Sequence, residues 1–307
     1  MNAGFIELVL VTIVTAATPL LLASLGELVT ERSGVLNLGV EGMMIMGAAL
    51  GFAGSYVTGS TLAGALCGIL AGMALASVFA FLAVGLAINQ VAAGLALTIL
   101  GLGASGLAGA GFVGLKRESA AHLQIAGLSD LPWLGKVVFG EDYFVYAALA
   151  LAVGVSYFLN RTRAGLNLRA VGDNHVSAHA LGLPVQRVRV LAILFGGACA
   201  GLAGAYMSLA YTPFWSPGMT AGRGWIALAL VVFASWRPGR LAGGALLFGG
   251  ATILQLHAQA LGLGLPGQLL SSLPYVATIV ALVLLSLGVK RGTTAPAALG
   301  QAFIPDR

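Results

Sequence analysis

Apolar residues run along this chain in long unbroken stretches rather than in alternation. The stretches lie near 5–28, 35–56, 62–88, 91–114, 142–159, 190–211, 224–236, 241–260 and 273–289. A bilayer core needs about 20 apolar residues per helix, so the pattern predicts about nine membrane spans. Strands of a membrane barrel would alternate polar and apolar positions, which these runs do not. The run 224–236 is short for a crossing, and a broken or re-entrant helix is expected there, tolerated only where protein or a cavity surrounds it. The expected fold is all-α: a polytopic transmembrane helix bundle forming a single domain over 1–307.

Composition narrows the function classes. Of 307 residues, 8% are charged and 59% hydrophobic, against about 25% charged in a soluble domain. A soluble enzyme, a nucleic-acid binder and a disordered chain are excluded. The start, MNAGFIELVL, has no basic n-region and carries Glu7, so it reads as a first span and not as a cleaved signal. Cys67 and Cys199 lie inside apolar runs and read as small core residues. The bases set the orientation. Arg32, Arg161, Arg163, Arg169, Arg187, Arg189, Arg237, Arg240, Lys290, Arg291 and Arg307 fall on one side by alternation, and Lys116, Arg117, Lys136 and Arg223 on the other. The positive-inside rule makes the richer side cytoplasmic, with the N-terminus outside and the C-terminus inside, as in a bacterial inner membrane.

Glycines recur at helical spacing, as in Gly47/Gly51, Gly64/Gly68/Gly72 and Gly197/Gly201. Small residues let helices approach closely in lipid. Gly101, Gly103 and Gly106 match a dinucleotide fingerprint but sit inside an apolar span without a βαβ context, and no phosphate-binding GxxxxGK[ST] loop occurs.

The segment NRTRAGLNLRAVGDNHVSAHALGLPVQRVRV at 160–190 is the most informative polar stretch. Asp173 is expected to cap a two-turn helix over about 174–181. Gly182 can take the left-handed C-terminal position and Pro184 stops continuation. Two turns are too short to stand alone. Two readings follow: a basic loop that fixes topology and touches anionic membrane lipid, or a helix that docks in a groove of a cytoplasmic partner.

RAVGDNHVSAHALGLPVQRVR resembles the cytoplasmic coupling segment of ABC importer permeases of the ribose, branched-chain amino acid and nucleoside group. ERSGVLNLGVEGMMIMGA at 31–48 resembles the signature after the first span in nucleoside and simple-sugar permeases. GRGWIALALVVFASWRPGRLAGGALLFGG at 222–250 resembles their late glycine-rich region. The resemblance implies a type II importer permease for nucleosides or purine-related solutes, with simple sugars or branched-chain amino acids as alternatives. It also implies a second, paralogous permease, a cytoplasmic ATPase that binds ATP-Mg, and an extracytoplasmic solute-binding protein. Arg169, Gly172, Asp173, Asn174 and Gly182 match the coupling segment and would face the ATPase. No cofactor, catalytic residue or metal site is expected in this chain.

Other polar groups within the runs are candidates for the solute path. Asn37 and Glu41 are i, i+4 and would share a helix face about two turns into the second span. That pair reads either as a polar patch on the path or as a helix-end pairing with Arg32. Gln255 and Gln259 share a face of the eighth span and suit interhelical hydrogen bonds or solute. Phe214, Trp215 and Trp225 suit interface anchors, with stacking on a nucleobase as the alternative. His175 and His179 lack a third metal ligand and read as a solvated face. An ion-coupled transporter or channel would place buried charges in several spans, where only Glu41 and span-end Glu7 and Glu27 could serve.

Overall fold

The computed structural model describes residues 3–121, 123, 135–260 and 295–304, with isolated positions between 269 and 283. Its helices are α1 (Ala3–Arg32), α2 (Val40–Thr58), α3 (Thr61–Ala80), α4 (Gln90–Gly109), α5 (Gly135–Phe139), α6 (Tyr143–Arg161), α7 (Arg163–Asp173), α8 (His175–Ala180), α9 (Val185–Tyr206), α10 (Arg223–Phe233) and α11 (Pro238–Ala260). Among the described residues there are no strands, only isolated bridges joining Val113 to Trp215 and Lys116 to Phe214.

Seven of these helices are long and apolar enough to cross a membrane: α1, α2, α3, α4, α6, α9 and α11. The expected count of nine is therefore not reached among the described residues, and most of the expected ninth span, 273–289, lies outside them. α10 has 11 residues. At 1.5 Å per residue it covers about 16 Å, roughly half of a bilayer core.

Local chemistry sets several helix starts. Ser60 accepts from the amide of Ala63 at 3.4 Å, and Asn89 from that of Ala92 at 3.0 Å. Asp142 accepts from the amides of Phe144 at 2.8 Å and Val145 at 3.2 Å. Each is an oxygen-bearing side chain closing the open amides of a first turn.

α9 lies at the centre, packed against α1, α2 and α3. The small-residue spacing has the expected use. A side chain on Gly47 would strike the backbone of Gly201, and one on Gly72 the backbone of Gly197. Cys67 and Cys199 are both free thiols. Gly101 and its neighbours lie within α4, where Gly101 meets Gly42 of α2.

The second span departs from expectation. The helix begins at Val40 and not near 35, because residues 33–39 are non-helical. This segment doubles back along α1, since the Asn37 amide donates to Glu27 Oε1 at 3.1 Å. Glu27 stands five residues, about 7 Å, before the end of α1. Side chains supply the hydrogen bonds that the missing helix would have made. The Leu36 amide donates to Gln90 Oε1 at 2.8 Å, the Gly39 amide to Asn37 Oδ1 at 2.9 Å, and the Thr98 hydroxyl to the Leu38 carbonyl at 2.9 Å. In an apolar solvent a break of this kind depends on such partners.

Candidate functional site: a buried carboxyl cradle and a capped terminal helix

Glu41 lies in the first turn of α2 and is 4% exposed. Its Oε1 accepts from the Thr220 hydroxyl at 2.6 Å and the Gly222 amide at 2.9 Å, and its Oε2 from the Gly224 amide at 2.6 Å. These donors form the non-helical approach to α10 and its first turn. The carboxyl group thus closes the open end of α10 from another helix, where the helix dipole favours negative charge. Gly224 is required by the approach: a Cβ there would lie 2.5 Å from the Glu41 Cα.

This geometry corrects two expectations. Asn37 stands outside the helix in the extended segment, so it does not share a helix face with Glu41. Its side chain instead turns the chain toward Gly39. Glu41 is not paired with Arg32 either, whose Nε and Nη2 donate to the Trp236 carbonyl at 3.2 and 2.7 Å. Gln255 is half-buried and Gln259 exposed on α11, and neither is among the partners of Asn37 or Glu41.

Two further acids are buried: Glu27, expected only as a span-end charge, and Glu31, which escaped the sequence reading. Glu27 and Glu31 are each 1% exposed. Glu27 holds the 33–39 segment, and Glu31 Oε2 accepts from the Trp236 indole at 2.5 Å. The only sequence signal was an acid at successive turns of an otherwise apolar run. Trp215, expected at an interface, is 1% exposed and packs on Gly109 beside Ile45 and Phe52. Phe214 and Trp225 remain partly exposed.

α8 lies at the end of the bundle that carries Arg32. Its capping residue is Asn174 and not Asp173. Asp173 is still helical as the last residue of α7, whereas Asn174 has the extended backbone a cap requires, φ −153° and ψ 94°. The Asn174 side chain accepts from the Ser177 amide at 2.9 Å. α7 itself was unforeseen. At the other end Gly182 adopts φ +81°, its amide donating to the His179 carbonyl at 2.8 Å and that of Leu183 to the Ala178 carbonyl at 3.0 Å. This is the paired bonding of a left-handed C-terminal cap.

The five residues matched to the coupling segment divide. Asp173, Asn174 and Gly182 are exposed. Gly172 is buried against the Arg32 carbonyl, and Arg169 is half-buried. Val176 and Leu181 are 62% and 82% exposed, an apolar tip on a polar end.

Arg189, 2% exposed, ties this region together. It donates to the Ser33 carbonyl at 3.3 Å and the Gln301 carbonyl at 2.9 Å, and its Nη2 lies 3.3 Å from His175 Nδ1. His175 is buried and not on the solvated face expected. Burial, then the Arg189 charge, hold its pKa below the ordinary histidine value. Residues 295–304 pack underneath. The Ala298 amide donates to the Gly172 carbonyl at 2.9 Å and the Gly300 amide to the Gly34 carbonyl at 3.1 Å. Phe303 sets its ring 5.3 Å from those of both His175 and His179. Among the described residues no group of three metal-ligating side chains occurs.

Residues 9–288 match the family model described as branched-chain amino acid transport system / permease component. A putative glucose ABC transporter permease of Haloferax volcanii is 46% identical, covering 88% of each chain. A guanosine ABC transporter permease of Bacillus subtilis is 33% identical over 94% of this chain and 93% of its own. A nucleoside ABC transporter permease of Lactococcus lactis is 31% identical, covering 91% and 92%. No solved structure matches.

Proposed function

The chain belongs to the family of branched-chain amino acid transport system permease components, a multi-pass membrane transport subunit of a binding-protein-dependent ABC importer, and from that premise we propose that it carries a solute built on a sugar ring. A nucleoside or related purine compound is the first reading, supported by the Bacillus and Lactococcus relatives. A simple sugar is the second, supported by the more similar Haloferax relative. Thermal shift of the cognate binding protein against guanosine and against glucose separates them: the nucleoside reading fails if only glucose stabilises it.

The proposed assembly pairs this chain with a paralogous permease, a cytoplasmic ATPase holding ATP-Mg and an extracytoplasmic binding protein. Both Haloferax and Bacillus relatives have such a second permease, at 29% and 24% identity to this chain. The proposed topology is that of a type II importer with nine crossings, α10 forming the inner half of one and the bundle end with α8 facing the cytoplasm. The clustering of bases on that side supports it.

One observation carries the coupling proposal: α8 is closed at both ends and presents Val176 and Leu181 outward. Such a tip fits a partner's apolar groove. A push on α8 would pass through Arg189 and the Gly172–Gly34 contact to the 33–39 segment, and thence to α2 and Glu41. This chain makes and breaks no covalent bond. It would move solute by alternating access while the partner hydrolyses ATP. Asn174→Arg removes the cap and adds charge to the docking tip. In the reconstituted complex it is expected to abolish solute-stimulated ATPase activity while the bundle stays folded. Uptake equal to wild type would sink the coupling role.

A further inference from the structure

Four arginines converge on one cavity of about 440 Å³. Arg32 comes from the end of α1, Arg169 from α7, and Arg237 and Arg240 from the turn into α11, with Ser156 and Asn160 of α6 completing the lining. No carboxylate is among the lining residues. Arg32 senses Arg169 and Arg237 as like charges, with Asp173 as the opposing one. Gathering like charges is unfavourable unless something offsets it. The Arg169 Nε is buried with no hydrogen-bond partner, and an unmatched donor on a charged group is the costlier kind. Chemically, the cavity asks for an anion with several acceptor oxygens, which guanidinium forks bind in pairs.

The surroundings say which anion. The same three helices, α1, α6 and α11, line a second cavity of about 220 Å³. Its wall is mostly apolar, with Leu21, Ala148, Leu149, Ala245 and Leu246, and carries Thr18 and Glu141 among its few polar members. From Ser156 to Leu149 along α6 is about two turns, roughly 10 Å. The interface of these three helices therefore carries an apolar cavity within the bundle and, about two turns along, a basic chamber at its polar end. We propose that this interface binds an anionic phospholipid, its phosphate held by Arg32, Arg169, Arg237 and Arg240 and an acyl chain lying along the apolar wall. Basic chambers between spans on the cytoplasmic side suit anionic head groups. The proposal is independent of the solute and gives Arg169 an inward role in place of a direct contact with the ATPase.

Native mass spectrometry of the purified full-length protein in detergent tests this, with phosphatidylglycerol and chain-matched phosphatidylcholine added in turn. Wild type is expected to retain phosphatidylglycerol at least tenfold better. Arg237 and Arg240 are exposed, so the double variant Arg237→Gln/Arg240→Gln is expected to fold and to lose about tenfold in retention. Arg240→Lys keeps the charge without the fork and should fall between. Arg161→Gln/Arg163→Gln, exposed arginines off the cavity, should change nothing. Equal retention of the two lipids, or an equal loss in the control variant, overturns the proposal. So does displacement by glycerol 3-phosphate at lipid-equivalent concentrations, which would make the site one for a free phosphate. Unchanged lipid retention with loss of the ATPase subunit from the complex would assign the arginines to a protein carboxylate instead.

Discussion

Of the helix starts closed by side-chain oxygens, those of α8 and α10 stand in opposite surroundings. At α8 the oxygen is local and exposed: Asn174 reaches the amide three residues on, at 2.9 Å. At α10 it is remote and buried: Glu41 reaches amides 181 and 183 residues away in the chain. A water molecule can replace Asn174. Nothing solvent-like replaces Glu41, since its donors stand in the interior of an apolar bundle. The first cap shapes a surface, whereas the second holds a discontinuous helix inside the membrane domain. If solute passes beside α10, Glu41 is what keeps that end of α10 in place.

Removing the remote cap is the severest way to test the contrast. Glu41→Leu leaves two buried donors and one part-buried donor unanswered and is expected to destabilise the bundle by on the order of 3–5 kcal/mol. The expected readout is loss of monodisperse protein on extraction. Near-normal yield and thermal stability would show that water reaches this point and that the two caps are alike. Glu41→Gln keeps one acceptor oxygen and should recover part of the loss.

Gly224→Ala probes the same junction from the other side. Its new Cβ would overlap the Glu41 backbone, so α10 must withdraw from α2. Overpacking of this kind costs roughly 1–3 kcal/mol. Thermal unfolding should show a smaller drop than for Glu41→Leu, with transport reduced more than stability. Full transport at reduced stability would separate the junction from the path.

Asn174→Ala should cost about 1 kcal/mol, the ordinary worth of an exposed cap. Because α8 has so few residues, the loss should appear as faster hydrogen exchange confined to 174–183, with the melting temperature of the bundle unmoved. Asn174→Asp should retain slow exchange. A global loss from Asn174→Ala would mean that α8 is as integral as α10.

The same contrast explains what could be read in advance. The α8 region was legible because its signals are neighbours: a capping residue, a helix, then Gly182 and Pro184. Even there the cap was placed one residue early, at Asp173, because α7, which carries helical backbone through Asp173, was not foreseen. The 33–39 break was illegible because VLNLGV is as apolar as a helix. Its amides are answered by Glu27 and Gln90 and its Leu38 carbonyl by the Thr98 hydroxyl, from two other helices. Hydropathy reports what a residue dislikes, not who supplies its backbone hydrogen bonds. The packing of 295–304 beneath α7 and α8 has the same character, since Gly172, Gly34 and Arg189 meet it through main-chain carbonyls and amides that no residue type announces.

The mildest test of the contrast is pH. Protonation can reach an edge site such as the base of α8. His175 Nδ1 faces the Arg189 guanidinium at 3.3 Å, with the Phe303 ring beside it. Its pKa in the folded chain is lowered, by burial first and by Arg189 second. A lowered histidine contributes stability above its unfolded pKa of about 6.5 and loses it as pH falls through the folded value. Charging the ring also sets two cations against each other and turns the acceptor facing Arg189 into a donor. Protection of the α8 amides, taken relative to their intrinsic exchange rate at each pH, should therefore fall as pH drops below the ordinary histidine value while that of α10 stays constant. His175→Asn, which keeps an acceptor and cannot charge, should flatten that dependence. Acceleration of both helices together would mean that Arg189 joins them into one cooperative unit, and that the local and remote caps fail as a pair.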